Sequence, residues 1–388
     1  MAGKPSRRLD AVEPYIFAEI AARRTAAAAR GLEIIDLGRG GPDYPPHLEA
    51  MEELAVEAAD PANYGYTSYA GSPDFQRAVA DWYERHFAVR PAGTVPLSGS
   101  KGGLSRVFMA LCDPGDTVIL PEPAFPSYRS AAVLAGLEIH PLVLRPQNGW
   151  RPLLTEIPDD VAERARLLYL NYPTNPTGAT VERGDLEGVV AWAAEHDVLI
   201  VYDNAYNLLV FDGPPLSILS LPGAAEVALE FHTLSKAYGM AGLRAAYACG
   251  QSTALDALRK IELYHQAGLF GPALDACSVA LDQGDDYVAG NVEILRRRRE
   301  LVSGRLDAMG WEHTSPGGAA YFFLRLDGDG DDSAFCRELL DTRGVVLTPG
   351  SAFGAAGAGW VRLALTRPAA ELETALERIA RFRDEHGA

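Results

Sequence analysis

The chain has 388 residues, of which 48% are hydrophobic and 22% are charged, which is typical of a globular protein long enough for two domains. Its net charge of −17 argues against nucleic acid or an anionic membrane surface as a partner, and no apolar run is long enough to span a bilayer. Four scattered cysteines without C-x-x-C spacing indicate neither a disulfide framework nor a metal site, so we expect a cytoplasmic protein with reduced thiols.

The first part of the chain predicts a helix and then a sheet. An alanine-rich stretch over residues 11–31 predicts a helix that ends at Gly31, and the loop 38–43 is too rich in glycine for a regular element. From residue 95 onward, apolar runs without polar alternation alternate with helical patterns, which predicts a mostly parallel sheet covered on both faces. The predicted strands are 95–97, 117–120, 167–170, 199–202 and 227–231, and the predicted helices between them are 101–112, 127–137 and 185–196.

The pattern changes after residue 250. A long helical region is predicted over residues 255–309, and an α+β region follows it. The strands predicted there are 320–326, 345–347 and 361–365, with helices near 335–342 and at the end of the chain to Glu385. We therefore predict an N-terminal arm with part of a small domain over residues 1–40, a large domain over 41–285 and the rest of the small domain over 286–388.

Lys236 is the most informative residue of the sequence. It lies between the apolar run 227–231 and a glycine-punctuated segment that ends in Arg244. A lysine attacks a carbonyl when its amine is desolvated or has cationic neighbours, and the flanking Thr233 and Arg244 form a ready phosphate site. This combination suggests pyridoxal phosphate held as a Schiff base. The alternatives are a surface lysine in a loop, or Lys101 as the lysine that carries the cofactor.

Two further loops follow predicted strands. The loop of residues 99–103, which contains Ser100, opens a helix and predicts an anion site formed by free N–H groups. The stretch 123–128 contains Phe125, which either stacks on a flat heterocycle or caps the core. The glycine and prolines of residues 171–178 hold the amide of Asn175 in one orientation.

Asp203 follows the predicted strand 199–202, and Tyr206 lies three residues further on. A buried carboxylate is costly unless it meets a cation, and a protonated pyridine nitrogen would be that cation. Tyr206 would then reach the phenolic oxygen of the ring. A helix N-cap is an equally good interpretation of Asp203.

The order of these motifs along the chain resembles the class I/II aminotransferases, which are pyridoxal-phosphate enzymes of fold type I. The resemblance covers nearly the whole chain and is greatest to the LL-diaminopimelate, aspartate and alanine aminotransferases. It rests on the stretches 66–71, 99–101, 170–173 and 203–206. It implies an α/β fold with a large domain around a mostly parallel sheet and a smaller α+β domain. It also implies an enzyme of amino-acid metabolism or biosynthesis that forms a homodimer with shared active sites.

The resemblance assigns roles to individual residues. Lys236 would form the Schiff base and shuttle the proton between Cα and the cofactor, and Asp203 would keep the ring nitrogen protonated. Asn175 and Tyr206 would hydrogen-bond the ring oxygen. The phosphate would be held by Ser100, the amides of Lys101 and Gly102, Thr233, Arg244 and Tyr66 of the neighbouring subunit, with Phe125 stacked on the ring. Arg362 would bind the α-carboxylate of an amino acid or 2-oxo acid, and the Gly38–Gly40 backbone would close the same end of the substrate.

Three departures limit what the resemblance says about the substrate. Arg39 and Gly41 stand where many relatives have an aliphatic and an acidic residue. Arg39 would face the substrate side chain and favour a distal carboxylate or phosphate, or it would be a surface arginine. Gly102 stands where the diaminopimelate group usually has an acidic residue, and the stretch 263–267 is unlike that group. The sequence therefore does not predict diaminopimelate as the substrate.

A second reaction class stays open on the same scaffold. Once Lys236 removes the α-proton, a lyase or synthase would carry out β- or γ-elimination or replacement, as in specialised amino-acid or natural-product biosynthesis. The leading hypothesis remains transamination between an L-amino acid and a 2-oxo acid.

Overall fold

The computed structural model describes residues 3–328 and 330–386, which form twelve strands and fourteen α-helices. The strands are β1 (Ile35–Asp36), β2 (Thr94–Leu97), β3 (Thr117–Glu122), β4 (Glu138–Val143), β5 (Ala165–Asn171), β6 (Leu199–Asp203), β7 (Ala228–Thr233), β8 (Ala246–Gly250), β9 (Tyr321–Arg325), β10 (Val345–Val346), β11 (Thr348–Pro349) and β12 (Trp360–Ala364). The helices are α1 (Arg7–Asp10), α2 (Ile16–Ala29), α3 (Leu48–Ala59), α4 (Pro73–Phe87), α5 (Ser100–Leu111), α6 (Ser127–Ala135), α7 (Asp159–Ala162), α8 (Arg183–His196), α9 (Ala224–Val227), α10 (Ser252–His265), α11 (Gly271–Gln283), α12 (Asp285–Ala308), α13 (Asp332–Arg343) and α14 (Ala369–His386).

The centre of the molecule is a seven-stranded sheet in the order β2-β8-β7-β6-β5-β3-β4. Strand β8 runs antiparallel to both of its neighbours, and the other adjacent pairs are parallel. Leu229 and Phe231 face an apolar cluster formed with α5, α6 and α10, whereas Ala228 faces a larger cluster that includes α4, α8 and α11. The predicted α/β class, with a mostly parallel sheet covered on both faces, is confirmed.

Helix α4 was not among the sequence predictions, although its signals are present in the chain. The Ser72 hydroxyl accepts a hydrogen bond from the Phe75 N–H at 3.1 Å, and Pro73 occupies the first turn. The residues that α4 buries recur at helical spacing, namely Phe75, Ala78, Val79, Trp82 and Tyr83. These residues pack against the larger apolar cluster, so burial of this face stabilises the helix.

Other differences between prediction and structure have local causes. The predicted helix 11–31 begins only at Ile16, just after Pro14, which disfavours helix at the residue before it. The predicted helical region 255–309 is three helices, α10 to α12. Strand β4 was missed because it contains Pro141 and lies at the sheet edge, where its side chains are half exposed and lack a continuous apolar pattern.

A second, three-stranded sheet has the order β11-β12-β9 and is antiparallel. Strand β12 carries Arg362, and β9 begins at Tyr321. Separately, β1 pairs in parallel with β10, with Ile35 opposite Val345. These pairings place the glycine loop after β1 beside β12. Among the described residues, no helix combines the length and the apolar character needed to cross a membrane.

Candidate active site

A cavity of about 540 Å³ opens at the carboxyl ends of the parallel strands. Asn171, Asp203 and Thr233, the last residues of β5, β6 and β7, line it, as expected for a ligand site in an α/β sheet. The predicted site residues that line this cavity are Arg39, Gly40, Ser100, Lys101, Phe125, Asn175, Asp203, Tyr206, Thr233, Lys236, Arg244 and Arg362.

Two predicted site residues do not line the cavity. Gly102 lies in the first turn of α5, and the side chain of Tyr66 is 94% exposed. Their roles toward a phosphate remain predictions. Gly38, predicted to help close the substrate end, lines the cavity with its neighbours.

Lys236 extends from the turn that follows β7 into the middle of the cavity. Its Nζ donates a hydrogen bond to the Gly40 carbonyl at 2.6 Å and lies 5.7 Å from the centre of the Tyr206 ring. The Tyr44 hydroxyl donates to the Lys236 carbonyl at 2.6 Å and so holds the backbone of this residue. The lysine is half-buried and is held by the glycine loop, which does not fit an ordinary surface lysine.

Lys101, the alternative lysine, lies toward the cavity mouth. Its Nζ is 3.4 Å from the Tyr15 hydroxyl, 4.5 Å from the centre of the Tyr15 ring and 5.8 Å from that of Phe125. Phe125 itself packs against the apolar cluster on one side and lines the cavity on the other, so its contact with the core is observed and its stacking on a heterocycle stays a prediction.

Asp203 is a buried carboxylate at the end of β6. Burial raises its pKa to about 6, and a hydrogen bond donated by the Tyr128 hydroxyl opposes that rise. The Ala205 N–H donates to the other carboxylate oxygen at 3.2 Å. No α-helix begins at Asp203, so the N-cap interpretation is wrong for this residue. The Lys236 amine contributes a further favourable charge.

The loop between β2 and α5 forms an anion cradle. The N–H groups of the first turn of α5 have no partner within the helix, and no side chain caps them. Gly99 has a positive φ of 86°, and a Cβ built there would meet Arg244 Nη2 at 2.2 Å. Only glycine lets this guanidinium approach the loop so closely. The Thr233 hydroxyl donates to the Ser235 hydroxyl at 2.9 Å at the same end of the cavity.

Arg362 is a buried cation, only 2% exposed, that forms no ion pair with a described carboxylate. Its Nη1 donates to Asn175 Oδ1 at 2.6 Å and its Nη2 to the Gly38 carbonyl at 2.5 Å, while its buried Nε has no hydrogen-bond partner in the described part of the chain. The guanidinium packs 4.6 Å from the centre of the Tyr321 ring and 4.9 Å from that of Phe353. Burial lowers the pKa of Arg362. A buried charge without a counter-ion costs several kcal/mol, which an incoming carboxylate relieves.

Tyr321 was not predicted as a site residue. Its hydroxyl forms a 2.8 Å hydrogen bond with the Tyr206 hydroxyl, and it donates to the Gly40 carbonyl at 3.4 Å. A Cβ at Gly40 would meet the Tyr321 hydroxyl at 2.0 Å, so this contact requires glycine in the loop. Tyr128 and Ser235 were also missed, although both stand within stretches that contain predicted site residues.

Comparison with known proteins agrees with this geometry. The family described as aminotransferase class I and II matches residues 33–379. An LL-diaminopimelate aminotransferase of Desulforudis audaxviator is 39% identical over 378 residues, which cover 96% of each chain. The chain belongs to the class I and II aminotransferases.

Solved structures agree with this membership. The substrate-bound BacF structure of Bacillus subtilis superposes with a TM-score of 0.95 at 29% identity and covers 98% of both chains. A probable N-succinyldiaminopimelate aminotransferase of Thermus thermophilus has a TM-score of 0.90 at 34% identity, covering 94% of this chain and 99% of the other. This aminotransferase is therefore a pyridoxal-phosphate enzyme of fold type I whose substrates are small molecules, an amino acid and a 2-oxo acid, as predicted.

The described residues of this aminotransferase fit pyridoxal phosphate. The cradle of Gly99, α5 and Arg244 suits a phosphate, and the buried Asp203 suits a protonated ring nitrogen. The amine of Lys236 lies in the same cavity, where an aldehyde would meet it. The Tyr206 hydroxyl, which is hydrogen-bonded to the Tyr321 hydroxyl, and the amide of Asn175 line the same cavity, where a ring oxygen would lie.

Proposed function

We propose that this cavity moves an amino group between an L-amino acid and a 2-oxo acid, with Lys236 as the acid–base group. One observation carries the proposal. The buried guanidinium of Arg362, which has no carboxylate partner among the described residues, lines the same cavity as the Lys236 amine and the buried Asp203 carboxylate. Every L-amino acid and every 2-oxo acid brings the α-carboxylate that this guanidinium lacks.

The contacts indicate what each residue does in the reaction. Arg362 binds the α-carboxylate with its planar fork, and Asn175 and the Gly38 carbonyl hold that fork in place. Bound pyridoxal phosphate supplies an aldehyde that takes up the amino group and a ring that withdraws electrons from the substrate Cα. Lys236 Nζ takes the proton from that Cα and returns a proton in the second half of the reaction. In this structure the Gly40 carbonyl accepts a hydrogen bond from this amine and orients it into the cavity.

Helix α2 lies along one side of the cavity and reduces its access to water. Four of its residues at helical spacing line the cavity, namely Phe17, Ile20, Ala21 and Arg24. Arg24 forms an ion pair with Asp36 at 2.7 Å, and the Phe17 ring centre lies 5.6 Å from the Arg362 guanidinium. A drier site strengthens the pairing between Arg362 and an α-carboxylate.

A donor-only experiment tests transamination against elimination or replacement. The holoenzyme is incubated without an acceptor, separately with L-glutamate, L-alanine and LL-diaminopimelate. We expect about one 2-oxo acid per subunit and then arrest, because the amino group stays on the enzyme, and we expect a 2-oxo acid to restart turnover. Continuous release of ammonia or of a side-chain fragment without an acceptor would contradict transamination. The three donors also cover the substrate that the names of the curated relatives suggest.

We further propose that the enzyme is a homodimer whose sites are shared. Several aromatic side chains are exposed, among them the predicted cross-subunit residue: Tyr66 is 94% exposed, Tyr264 83% and Tyr64 66%. The Tyr64 and Phe270 rings lie 5.7 Å apart and join two segments of this surface. Clustered exposed aromatic residues of this kind favour a protein interface. The cytoplasm, where the free cysteine thiols stay reduced, is the proposed compartment.

Mixing two defective variants tests the shared site. Tyr66→Phe removes one hydroxyl, and a lost hydrogen bond to a charged phosphate should weaken cofactor binding about 10- to 100-fold. Lys236→Ala leaves Tyr66 intact but removes the reacting amine. Because a hybrid dimer would contain one complete site, with Lys236 from one subunit and Tyr66 from the other, mixed and refolded subunits should regain activity at limiting cofactor. If the mixture is no more active than the Tyr66→Phe variant diluted to the same concentration, then Tyr66 does not act across subunits.

A further inference from the structure

The cavity is cationic although the chain as a whole is acidic. Its lining residues include six cationic side chains, and Asp36 and Asp203 are the acidic ones among the described residues. The chain carries a net charge of −17, so this concentration of positive charge is local. The cationic residues of the lining are Arg24, Arg39, Lys101, Lys236, Arg244 and Arg362.

Most of these charges already have partners or roles. Arg24 is neutralised by Asp36, and the same carboxylate accepts a hydrogen bond from the Gly38 N–H at 3.0 Å. Arg244 belongs to the anion cradle, Arg362 to the α-carboxylate and Lys236 to the reaction. Two cations remain, Arg39 and Lys101, and neither forms an ion pair with a described carboxylate.

The Arg39 side chain is exposed, but both of its neighbours in the chain contact residues of the reaction centre. The carbonyl of its neighbour Gly38 accepts from Arg362, and the carbonyl of its other neighbour Gly40 accepts from Lys236. The Arg39 carbonyl itself accepts from the Thr366 hydroxyl at 2.7 Å, so the backbone on both sides of this side chain is held. Arg39 lines the cavity, and because consecutive Cα atoms are only about 3.8 Å apart, its side chain is long enough to reach a substrate bound between Arg362 and Lys236.

We propose that Arg39 forms a distal subsite for a second anionic group, so that the enzyme prefers amino acids whose side chain carries a carboxylate or a phosphate. This inference rests on the proposed binding of the α-carboxylate by Arg362. Both acidic side chains of the lining are engaged, Asp36 by Arg24 and Asp203 by Tyr128 and the cofactor site. A distal ammonium would therefore meet like charge, whereas a distal anion gains a planar, bidentate partner.

Three amino acids of similar side-chain length test the preference. L-Glutamate, L-norvaline and L-ornithine place an anion, a methyl group and a cation at about the same distance from Cα. In the donor half-reaction of the holoenzyme we expect L-glutamate to have the lowest KM. Arg39→Leu should raise the KM for L-glutamate about 10- to 100-fold, the scale of one lost charge-assisted hydrogen bond, and change that for L-norvaline less than about threefold. Lys101→Met removes the other uncommitted cation and is the matched comparison.

A binding measurement keeps the inference independent of turnover. Glutarate, 4-phosphonobutyrate and pentanoate are titrated into the holoenzyme by calorimetry, which compares a distal carboxylate, a distal phosphonate and a distal methyl group. The stronger of the two dianions identifies which anion the subsite takes, and Arg39→Leu should abolish the advantage of both over pentanoate. Equal binding of all three ligands, a preference for L-ornithine, or loss of the advantage in Lys101→Met but not in Arg39→Leu would overturn the proposal. Absence of binding by all three ligands would instead contradict the role given to Arg362.

Discussion

Lys236→Ala is expected to lower transamination by at least about 10⁴-fold, the upper end of what a positioned proton-transfer group contributes. The residue combines two tasks, because its Nζ is the amine that reaches the cavity centre and the base that takes the substrate Cα proton. The neighbouring Lys101 cannot replace it, since its ammonium lies against Tyr15 at the cavity mouth. The loss should therefore appear in kcat rather than in KM.

Two measurements separate loss of chemistry from loss of structure. Borohydride treatment followed by peptide mass analysis should place the cofactor mass on the peptide that contains Lys236 in the wild type and on no lysine in Lys236→Ala. Lys260→Ala is the matched control, because Lys260 is exposed on α10 and does not line the cavity. Near-normal turnover by Lys236→Ala, or cofactor mass on Lys101, would show that the catalytic lysine is assigned wrongly.

The site residues that could be predicted from the sequence are those that come shortly after a strand in the chain. Asn175, Asp203 and Lys236 come shortly after buried apolar runs, and the carboxyl ends of parallel strands meet at one edge of a sheet. Chain order alone therefore brings these residues together. The same logic covers Ser100 in the turn between β2 and α5.

Long-range pairings within the site could not be predicted from the sequence. Tyr321 meets Tyr206 only because β9 lies beside β12 in a separate sheet, and nothing in the local sequence specifies that register. The ion pair of Arg24 with Asp36 depends on how α2 lies across β1, and the burial of Asp203 beside Tyr128 depends on the fold around both residues. The domain boundaries after residues 40 and 285 stay a prediction.

The charge pattern of the cavity shows why family membership and substrate are separate questions. Transamination of any L-amino acid requires the roles given to Lys236, Asp203 and Arg362. These residues therefore identify the reaction but not the side chain of the substrate. Discrimination between side chains is the role proposed for Arg39, which the reaction leaves free. The effects expected there are one or two orders of magnitude, whereas those at the reaction centre are larger.

Asp203→Asn is the second change expected to have a large effect, lowering kcat about 10²- to 10³-fold, the scale of removing one preorganised electrostatic partner. A neutral amide cannot hold a positive ring nitrogen. The structure already shows the cost of keeping this carboxylate charged, because burial raises the pKa of Asp203 to about 6 from 3.8. In the cofactor-free protein the folded state therefore binds this proton more tightly than the unfolded state. Stability from this group is greatest at low pH and falls as the pH rises from about 4 to about 6.

The variant should therefore have a much lower kcat but be no less stable than the wild type at neutral pH. Thermal unfolding of cofactor-free wild type and Asp203→Asn, measured from pH 4 to 8, should show the wild type losing stability relative to the variant as the pH rises through that range. Tyr128→Phe is the matched partner, because it removes the hydrogen bond that lowers the pKa of Asp203. Without this hydrogen bond Asp203 becomes protonated at a higher pH, and a protonated carboxyl does not pair with a cation. The pH below which cofactor binding weakens should therefore be higher in Tyr128→Phe than in the wild type. If cofactor binding weakens at the same pH in Tyr128→Phe as in the wild type, and Asp203→Asn is fully active, then this carboxylate does not face the cofactor ring.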